Sequence, residues 1–378
     1  MALNERDIGH LERAMSLAEQ GRGCTSPNPL VGAVVVRGDG ILGEGFHAGP
    51  GKDHAELAAL KNAVGGDFAG RLVGATVYVT LEPCCHYGRT PPCTAALIAA
   101  GVDRVVAGVI DPSPAINGRG LDGLREAGIQ VDLADGELLH RLKRQNDAFR
   151  KSVTTGLPFV TYKYAMTLDG RVAADSGDSR WISSRESRLL VHRLRAESDA
   201  VLIGAGTLRR DDPRLTAREV HCTRQPLRVA VDPGLSVRAE AALVMTRGEG
   251  EVLVICAAGT SEARQAEVRS WGVDVAMIAA GEGGHPDPIE VAKYLAGRGV
   301  QSVMLEGGPT LAGAWWRAGL VDKVLAFISP QLVSGRICRS PLTGEGSPYM
   351  AEATQLRECT TVASGRDVLI TGYLGEPF

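Results

Sequence analysis

Apolar residues recur every three or four positions at Ile8, Leu11, Met15 and Ala18, the stripe of an amphipathic helix near the start of the chain. Two runs follow, Val31–Arg37 and Ile41–His47, on either side of Gly38-Asp39-Gly40, which predicts a hairpin. A helix is then expected from His54, with Leu57, Leu60, Lys61 and Val64 on its repeat, and a strand over Thr76–Thr80. Next come a helix over Thr94–Ala100, opened by Cys93 and closed by Gly101, a strand over Arg104–Ile110, a helix over Leu121–Ala127 and a strand over Gln130–Leu133. Alternation of this kind builds a sheet covered by helices. The polar stretch Glu137–Gly156, with Arg141, Lys143, Arg144, Arg150 and Lys151, reads as a helix leading into a linker near Gly156-Leu157-Pro158. A second series of buried strands follows at Phe159–Met166, Ala200–Ile203, Leu227–Asp232, Glu251–Cys256, Gln301–Glu306 and Lys323–Ile328. The expected fold is therefore α/β in two domains, over residues 1–150 and 151–378.

Composition narrows the function class. A chain of 378 residues is too long for one ordinary core. Its formal charge of −3 disfavours a nucleic-acid polymer as partner, because phosphate tracking needs clustered Lys and Arg. No apolar run approaches a spanning length, so no membrane association is expected. The polar start, Met1 to Asp7, opens an amphipathic helix and not a signal peptide, which places the protein in the cytoplasm. The eight cysteines are scattered through a large chain, and three of them cluster in sequence beside His86, so reduced thiols are the expected state.

The chemistry concentrates at His54-Ala55-Glu56 and at Pro83-Cys84-Cys85-His86-Tyr87-Gly88-Arg89-Thr90-Pro91-Pro92-Cys93. Imidazole and thiolate suit tetrahedral Zn²⁺, and a catalytic site keeps a fourth position for water. His54, Cys84 and Cys93 fill three positions, and Glu56 is the proton carrier that zinc deaminases place beside the metal. Cys93 is expected to open a helix, where the dipole favours a thiolate. Positions two apart do not share a helix face, so Glu56 need not compete with His54 for the ion. A closed structural zinc knot is the bland alternative, although it has no use for the adjacent carboxylate. Cys85 reads as a neighbour and not a ligand. Asn28, between two prolines, is either turn chemistry or an amide suited to a pyrimidine edge. His86 and His47 are candidates for lining the same pocket.

A second candidate lies in the other half. Ser302–Glu306 reads as a strand, and Gly307-Gly308-Pro309-Thr310 turns into a helix through Leu311, Trp315 and Trp316. Glycines at such a turn let backbone approach an anion. Val201 to Thr207 repeats the arrangement, with Arg209 where the third glycine of a dinucleotide fingerprint would stand. Tight turns with no ligand remain the alternative.

These residues also carry a resemblance. His54-Ala55-Glu56, Thr80-Leu81-Glu82-Pro83-Cys84, Gly88–Cys93 and Pro27–Val34 resemble the deaminase half of the bifunctional riboflavin-biosynthesis deaminase/reductase family. Thr167–Arg171, Ser176–Ile182, Asp211–Thr216 and Glu306–Leu311 are similar to its reductase half. The resemblance implies a cytidine-deaminase-like α/β/α domain followed by a dihydrofolate-reductase-like domain, with Zn²⁺ and NADPH as cofactors. By the same resemblance Ala165, Trp181, Thr207, Asp211, Gly308, Pro309, Thr310, Leu311, Ala312, Gly313 and Ala314 line the cofactor. Ser179, Arg195, Leu215, Arg218 and Glu306, with Asn28 and His86 in the first domain, line the substrate. Rival readings make Trp181 core, Arg195 and Arg218 solvated surface, and Asp211 a turn cap before Pro213. The implied reactions are hydrolytic deamination of a 2,5-diamino-6-ribosylamino-pyrimidinone 5′-phosphate and NADPH-dependent reduction of its ribosyl group to ribityl, in a homo-oligomer. A nucleoside- or tRNA-type deaminase fused to a sensing domain, and a non-catalytic protein with structural zinc, are the rivals from other classes.

Overall fold

The computed structural model describes residues 3–87, 91–335 and 339–378, apart from the Glu282 side chain. It divides into two compact units, residues 1–156 with Pro377–Phe378, and Leu157–Glu376. The division falls within the Gly156-Leu157-Pro158 segment read as the linker and six residues beyond the domain bound of 150, because an intact helix crosses that point.

The first unit is a five-stranded sheet. Its elements are α1 (Glu5–Ala18), β1 (Gly32–Arg37), β2 (Gly40–Phe46), α2 (Ala55–Val64), β3 (Thr76–Leu81), α3 (Cys93–Ala100), β4 (Arg104–Val109), α4 (Arg119–Glu126), β5 (Gln130–Leu133), α5 (Gly136–Gln145) and α6 (Asp147–Thr155). Strand order is β2-β1-β3-β4-β5, with β1 antiparallel to both neighbours and β3, β4 and β5 parallel. Both faces are covered, so alternate side chains serve different cores. Ala33, Val35, Val77 and Val79 pack with Ala59, Leu60 and Leu97 on one face. Val34, Val36, Tyr78 and Val106 pack with Leu11, Ala14 and Leu142 on the other. Burial on two faces explains the near-continuous apolar run of β1.

Two sequence readings change here. In α1 the buried stripe is Leu11, Ala14, Leu17 and Ala18, while Ile8 is exposed. The side of Asp7 turns inward because its carboxylate accepts from the Tyr78 hydroxyl at 2.8 Å and from Arg104 at 2.7 and 3.0 Å. The polar stretch after Glu137 is two helices and not one. Asn146 breaks it, its amide pairing with both backbone groups of Leu30 at 2.8 Å and so tying the loop that carries Asn28.

The second unit contains β6 (Phe159–Thr167), α7 (Arg185–Glu197), β7 (Ala200–Gly204), α8 (Ala205–Asp211), β8 (Leu227–Val231), α9 (Ala242–Met245), β9 (Val252–Ala257), α10 (Glu262–Ser270), β10 (Asp274–Ile278), α11 (Pro288–Gly297), β11 (Ser302–Leu305), α12 (Pro309–Arg317), β12 (Lys323–Ser329), β13 (Arg357–Ser364) and β14 (Asp367–Tyr373). Its nine strands run β10-β9-β8-β7-β11-β6-β12-β14-β13. They are parallel through β12, and β14 and β13 close the edge antiparallel. Cores lie on both faces. The sequence pattern missed β10, β13 and β14.

Helix α2, which carries Glu56, lies directly on β2. A Cβ at Gly43 would meet the Ala63 nitrogen at 2.4 Å, and one at Gly45 would meet the Ala59 nitrogen at 2.5 Å. Only glycine permits that backbone-to-backbone seat. Gly45→Ala is expected to destabilise the first unit by about 1–3 kcal/mol, as overpacking does, read as a lower thermal midpoint; an unchanged midpoint would contradict the close packing.

Candidate active sites

In the first unit, two helix starts and one strand end deliver the metal-ligand set. His54 is the N-cap of α2, one residue earlier than expected, with extended backbone. Cys93 is the first residue of α3, as expected. Cys84 follows β3 after Glu82-Pro83. His54 Nδ1 lies 3.6 Å from Cys84 Sγ and 3.3 Å from Cys93 Sγ, and the three donor atoms are all within 4.8 Å of one another. A tetrahedral ion with Zn–S of about 2.3 Å and Zn–N of about 2.0 Å needs N···S edges of about 3.5 Å. The donor set therefore fits Zn²⁺ in both chemistry and spacing.

The surroundings hold negative charge. The Cys93 backbone N–H, an orphan donor of the α3 start, points at Cys84 Sγ at 3.3 Å. With the Cys93 thiol and His54 also facing it, Cys84 is held down at about 4 as a thiolate. Hydrogen bonding to Cys84 and burial push Cys93 up, and hydrogen bonding to Cys84 pushes His54 up. Glu56 is 3% exposed, and burial followed by the nearby Cys84 charge raises it to about 7. A carboxyl near neutrality can both take and return a proton.

Asn28 joins this site through His47. The His47 ring lies edge-on to His54, with centroids 5.4 Å apart. Its Nδ1 is 3.0 Å from the Asp53 carbonyl, which only accepts, so Nδ1 carries the proton. Burial keeps the ring neutral, and Nε2 must then accept from Asn28 Nδ2 at 2.9 Å. That arrangement leaves Asn28 Oδ1 as the acceptor for a ligand amine. His86 is exposed. Gly88, Arg89 and Thr90 lie outside the described residues. Cys85 is not in the ligand cluster. Sequence reasoning passed over Glu82, whose buried carboxylate accepts from the N–H groups of Asp111, Gly118 and Gly120 at 2.8–3.1 Å. It ties the loop after β4 to the segment entering Cys84.

In the second unit a cavity of about 1150 Å³ opens beyond the carboxyl ends of β6, β7, β8 and β11, the place where open α/β sheets bind ligands. Ala165, Ser179, Trp181, Thr207, Asp211, Glu306, Gly308, Pro309, Thr310, Leu311 and Ala314 line it. Trp181 is not core: it is 67% exposed, with the Arg188 guanidinium 4.5 Å from its ring centre. The starts of α8 and α12 are neighbours, since a Cβ at Gly308 would come 3.5 Å from Thr207 Oγ1. Seven basic side chains line the cavity (Lys163, Arg180, Arg188, Arg209, Arg210, Arg317, Arg339) against three acidic ones (Asp211, Asp287, Glu306). Room and charge fit an anionic dinucleotide.

Five expected contacts lie elsewhere. Ala312 and Gly313 are on the buried face of α12, where a Cβ on Gly313 would meet the Thr343 carbonyl at 1.9 Å. Leu215 is 2% exposed in a hydrophobic core. Arg195 is behind the cavity wall, its fork closed on Glu306 at 2.6 and 2.9 Å with Nη1 on the Thr216 carbonyl. Arg218 donates to the Thr216 hydroxyl at 2.8 Å. Neither arginine lines the cavity. Lys163, unnoticed in the sequence, does line it. Burial lowers its pKa, against the opposing charge of Glu306. A lone lysine in the apolar run of β6 was the available signal.

The chain matches two family models, the cytidine and deoxycytidylate deaminase zinc-binding region over residues 4–109 and the RibD C-terminal domain over residues 158–370. It is similar to the riboflavin biosynthesis protein RibD of Aquifex aeolicus, 38% identical over 97% of this chain and 98% of that one. The Escherichia coli protein of the same name is 40% identical over 93% of this chain and 95% of that one. Among solved structures, Acinetobacter baumannii RibD matches with a TM-score of 0.85 and 33% identity over 98% and 99% of the two chains. The diaminohydroxyphosphoribosylaminopyrimidine deaminase/5-amino-6-(5-phosphoribosylamino)uracil reductase of Thermotoga maritima matches with a TM-score of 0.81 and 32% identity, again over 98% and 99%. With a deaminase-like first unit and a reductase second unit, each holding its own site, the chain belongs to the RibD family of bifunctional deaminase/reductase enzymes of riboflavin biosynthesis.

Proposed function

We propose that the first unit deaminates a diaminopyrimidinone ribosylamino 5′-phosphate at a zinc ion held by His54, Cys84 and Cys93, and that the second reduces the ribosyl group with NADPH. The observation that carries this reading is the convergence of one imidazole and two sulfurs beside a buried carboxyl. Bound there, zinc supplies a Lewis acid and brings a coordinated water to a pKa of about 7. Glu56 takes the water's proton and delivers it to the departing amine nitrogen, a shuttle that its raised pKa favours. Asn28, with its amide oriented by neutral His47, accepts from an exocyclic amine of the pyrimidine.

In the cavity of the second unit, NADPH supplies hydride. The turns at Gly204 and Gly308 let backbone approach its phosphates, and Trp181 and Thr207 flank it. Reduction of the opened ribose at C1′ leaves a heteroatom needing a proton, and Lys163 is the acid on the cavity wall placed to give it. Glu306, held by Arg195, favours the charged form of Lys163 against burial and accepts from substrate hydroxyls. We also place the enzyme in the cytoplasm as a homo-oligomer. The seven described cysteines are all thiols, in keeping with a reducing compartment, and no described helix is long and apolar enough to cross a membrane.

Glu56→Gln is expected to slow deamination by about a hundredfold or more, the contribution of a positioned acid/base, while leaving reduction of the deaminated intermediate intact. Equal loss of both rates without unfolding would contradict two separate sites. Chelation of the metal should stop ammonia release and spare NADPH oxidation on that intermediate; continued deamination in metal-free protein would sink the zinc assignment. Lys163 is competent while protonated, so the reduction rate should be full below its pKa and fall as pH rises through it, on a limb displaced below the ordinary lysine range. Lys163→Gln should remove that limb; a pH profile identical to the parent's would exclude Lys163 as the acid.

A further inference from the structure

Among the cavity cations that the mechanism leaves unassigned, Arg209 is distinguished by what holds it. Arg209 lies one helical turn beyond Ala205 in α8, lines the cavity and is exposed to it. Its Nη1 donates to Ser236 Oγ at 2.9 Å, and Ser236 Oγ donates in turn to the buried Asp232 carboxylate at 3.0 and 3.2 Å. Asp232, 1% exposed, is also held by the Val237 N–H at 2.7 Å. The guanidinium is thereby oriented by a neutral hydroxyl, and no carboxylate ion-pairs with it among the described residues. Most of its five donors remain for a ligand.

Four of the five other cavity arginines are differently engaged. Arg188 stacks on Trp181 and donates to the Ser183 carbonyl, Arg317 donates to the Thr343 carbonyl, and Arg180 and Arg210 flank Asp211. Position separates Arg209 as well. Lys163 and Glu306 belong to β6 and the end of β11, whereas Arg209 and Ser236 stand at β8, and the sheet order β8-β7-β11-β6 separates these by three strand spacings. At about 4.8 Å each, that is about 14 Å, the reach of an extended dinucleotide. A dinucleotide with its nicotinamide at Lys163 and its pyrophosphate over the paired turns of β7 and β11 would bring its adenosine ribose to Arg209.

We infer that Arg209, oriented by Ser236 and Asp232, binds the 2′-phosphate of NADPH and sets the enzyme's preference for NADPH over NADH. This rests on the cofactor reading above. A planar fork matches a phosphate dianion through paired N–H donors, and NADH offers it nothing at that position.

Calorimetric titration of the full-length protein with NADPH, NADH and 2′,5′-ADP tests the assignment. The parent should bind NADPH and 2′,5′-ADP well. Arg209→Ala should weaken both by at least about tenfold, the loss of a charge-assisted hydrogen bond, and leave NADH binding unchanged. Arg209→Lys should retain part of the difference, and Ser236→Ala should reduce it. Equal weakening of NADPH and NADH in Arg209→Ala, or no weakening, would overturn the assignment. So would a loss confined to the ribosylamino phosphate substrate, which would make Arg209 a contact for the substrate's 5′-phosphate. If the parent bound neither dinucleotide, the cofactor reading itself would fall, and this inference with it.

Discussion

The deaminase half depends on bringing one imidazole and two sulfurs, from positions 54, 84 and 93, within 4.8 Å of one another. Three features of the fold make that possible. The glycines of β2 let α2 seat on the sheet without an intervening side-chain layer, which places His54 at its start and buries Glu56 in its first turn. The parallel pairing of β3 with β4 sends both chains out at the same edge of the sheet. The first turn of α3 then presents an unpaired N–H to a sulfur. Electrostatics follow from this placement. A dry carboxyl beside a thiolate resists ionisation, so burial and the Cys84 charge raise Glu56 to about 7 despite its hydrogen bond with Cys93.

The reductase half solves a different problem, holding charges at the wall of a large cleft. The Arg195–Glu306 pair satisfies a carboxylate that would otherwise be stranded among apolar strands. Lys163, placed between burial that disfavours its charge and a carboxylate that favours it, keeps a proton it can release. The excess of basic over acidic groups around the cleft suits an anionic ligand, and the glycine turns would let backbone approach it.

Much of this was legible in the chain because the chemistry is local. His54, Glu56, Cys84 and Cys93 stand in two short motifs whose residue types have few other common uses together, and the Gly307-Gly308-Pro309 turn announces a strand-to-helix start. What could not be read was mostly orientation. Residues 308–314 run into a helix, so Ala312 and Gly313 face the core while Leu311 and Ala314 face the cleft. The pairing of Arg195 with Glu306 and the contact of Arg218 with Thr216 depend on residues far away in sequence or on a turn the pattern does not show. Strand β13 gave no apolar signal because it is an exposed edge, and the break at Asn146 depends on Leu30, far away in sequence. Lys163 was hidden by the opposite effect, a single charge in a run that otherwise reads as buried strand.

X-ray absorption at the zinc edge of metal-loaded protein tests most directly whether the cluster is an open catalytic centre. The expected first shell has two sulfurs at about 2.3 Å and lighter donors at about 2.0 Å, one of them an exchangeable oxygen. A shell closed by four protein ligands, or protein that retains no zinc, would contradict it.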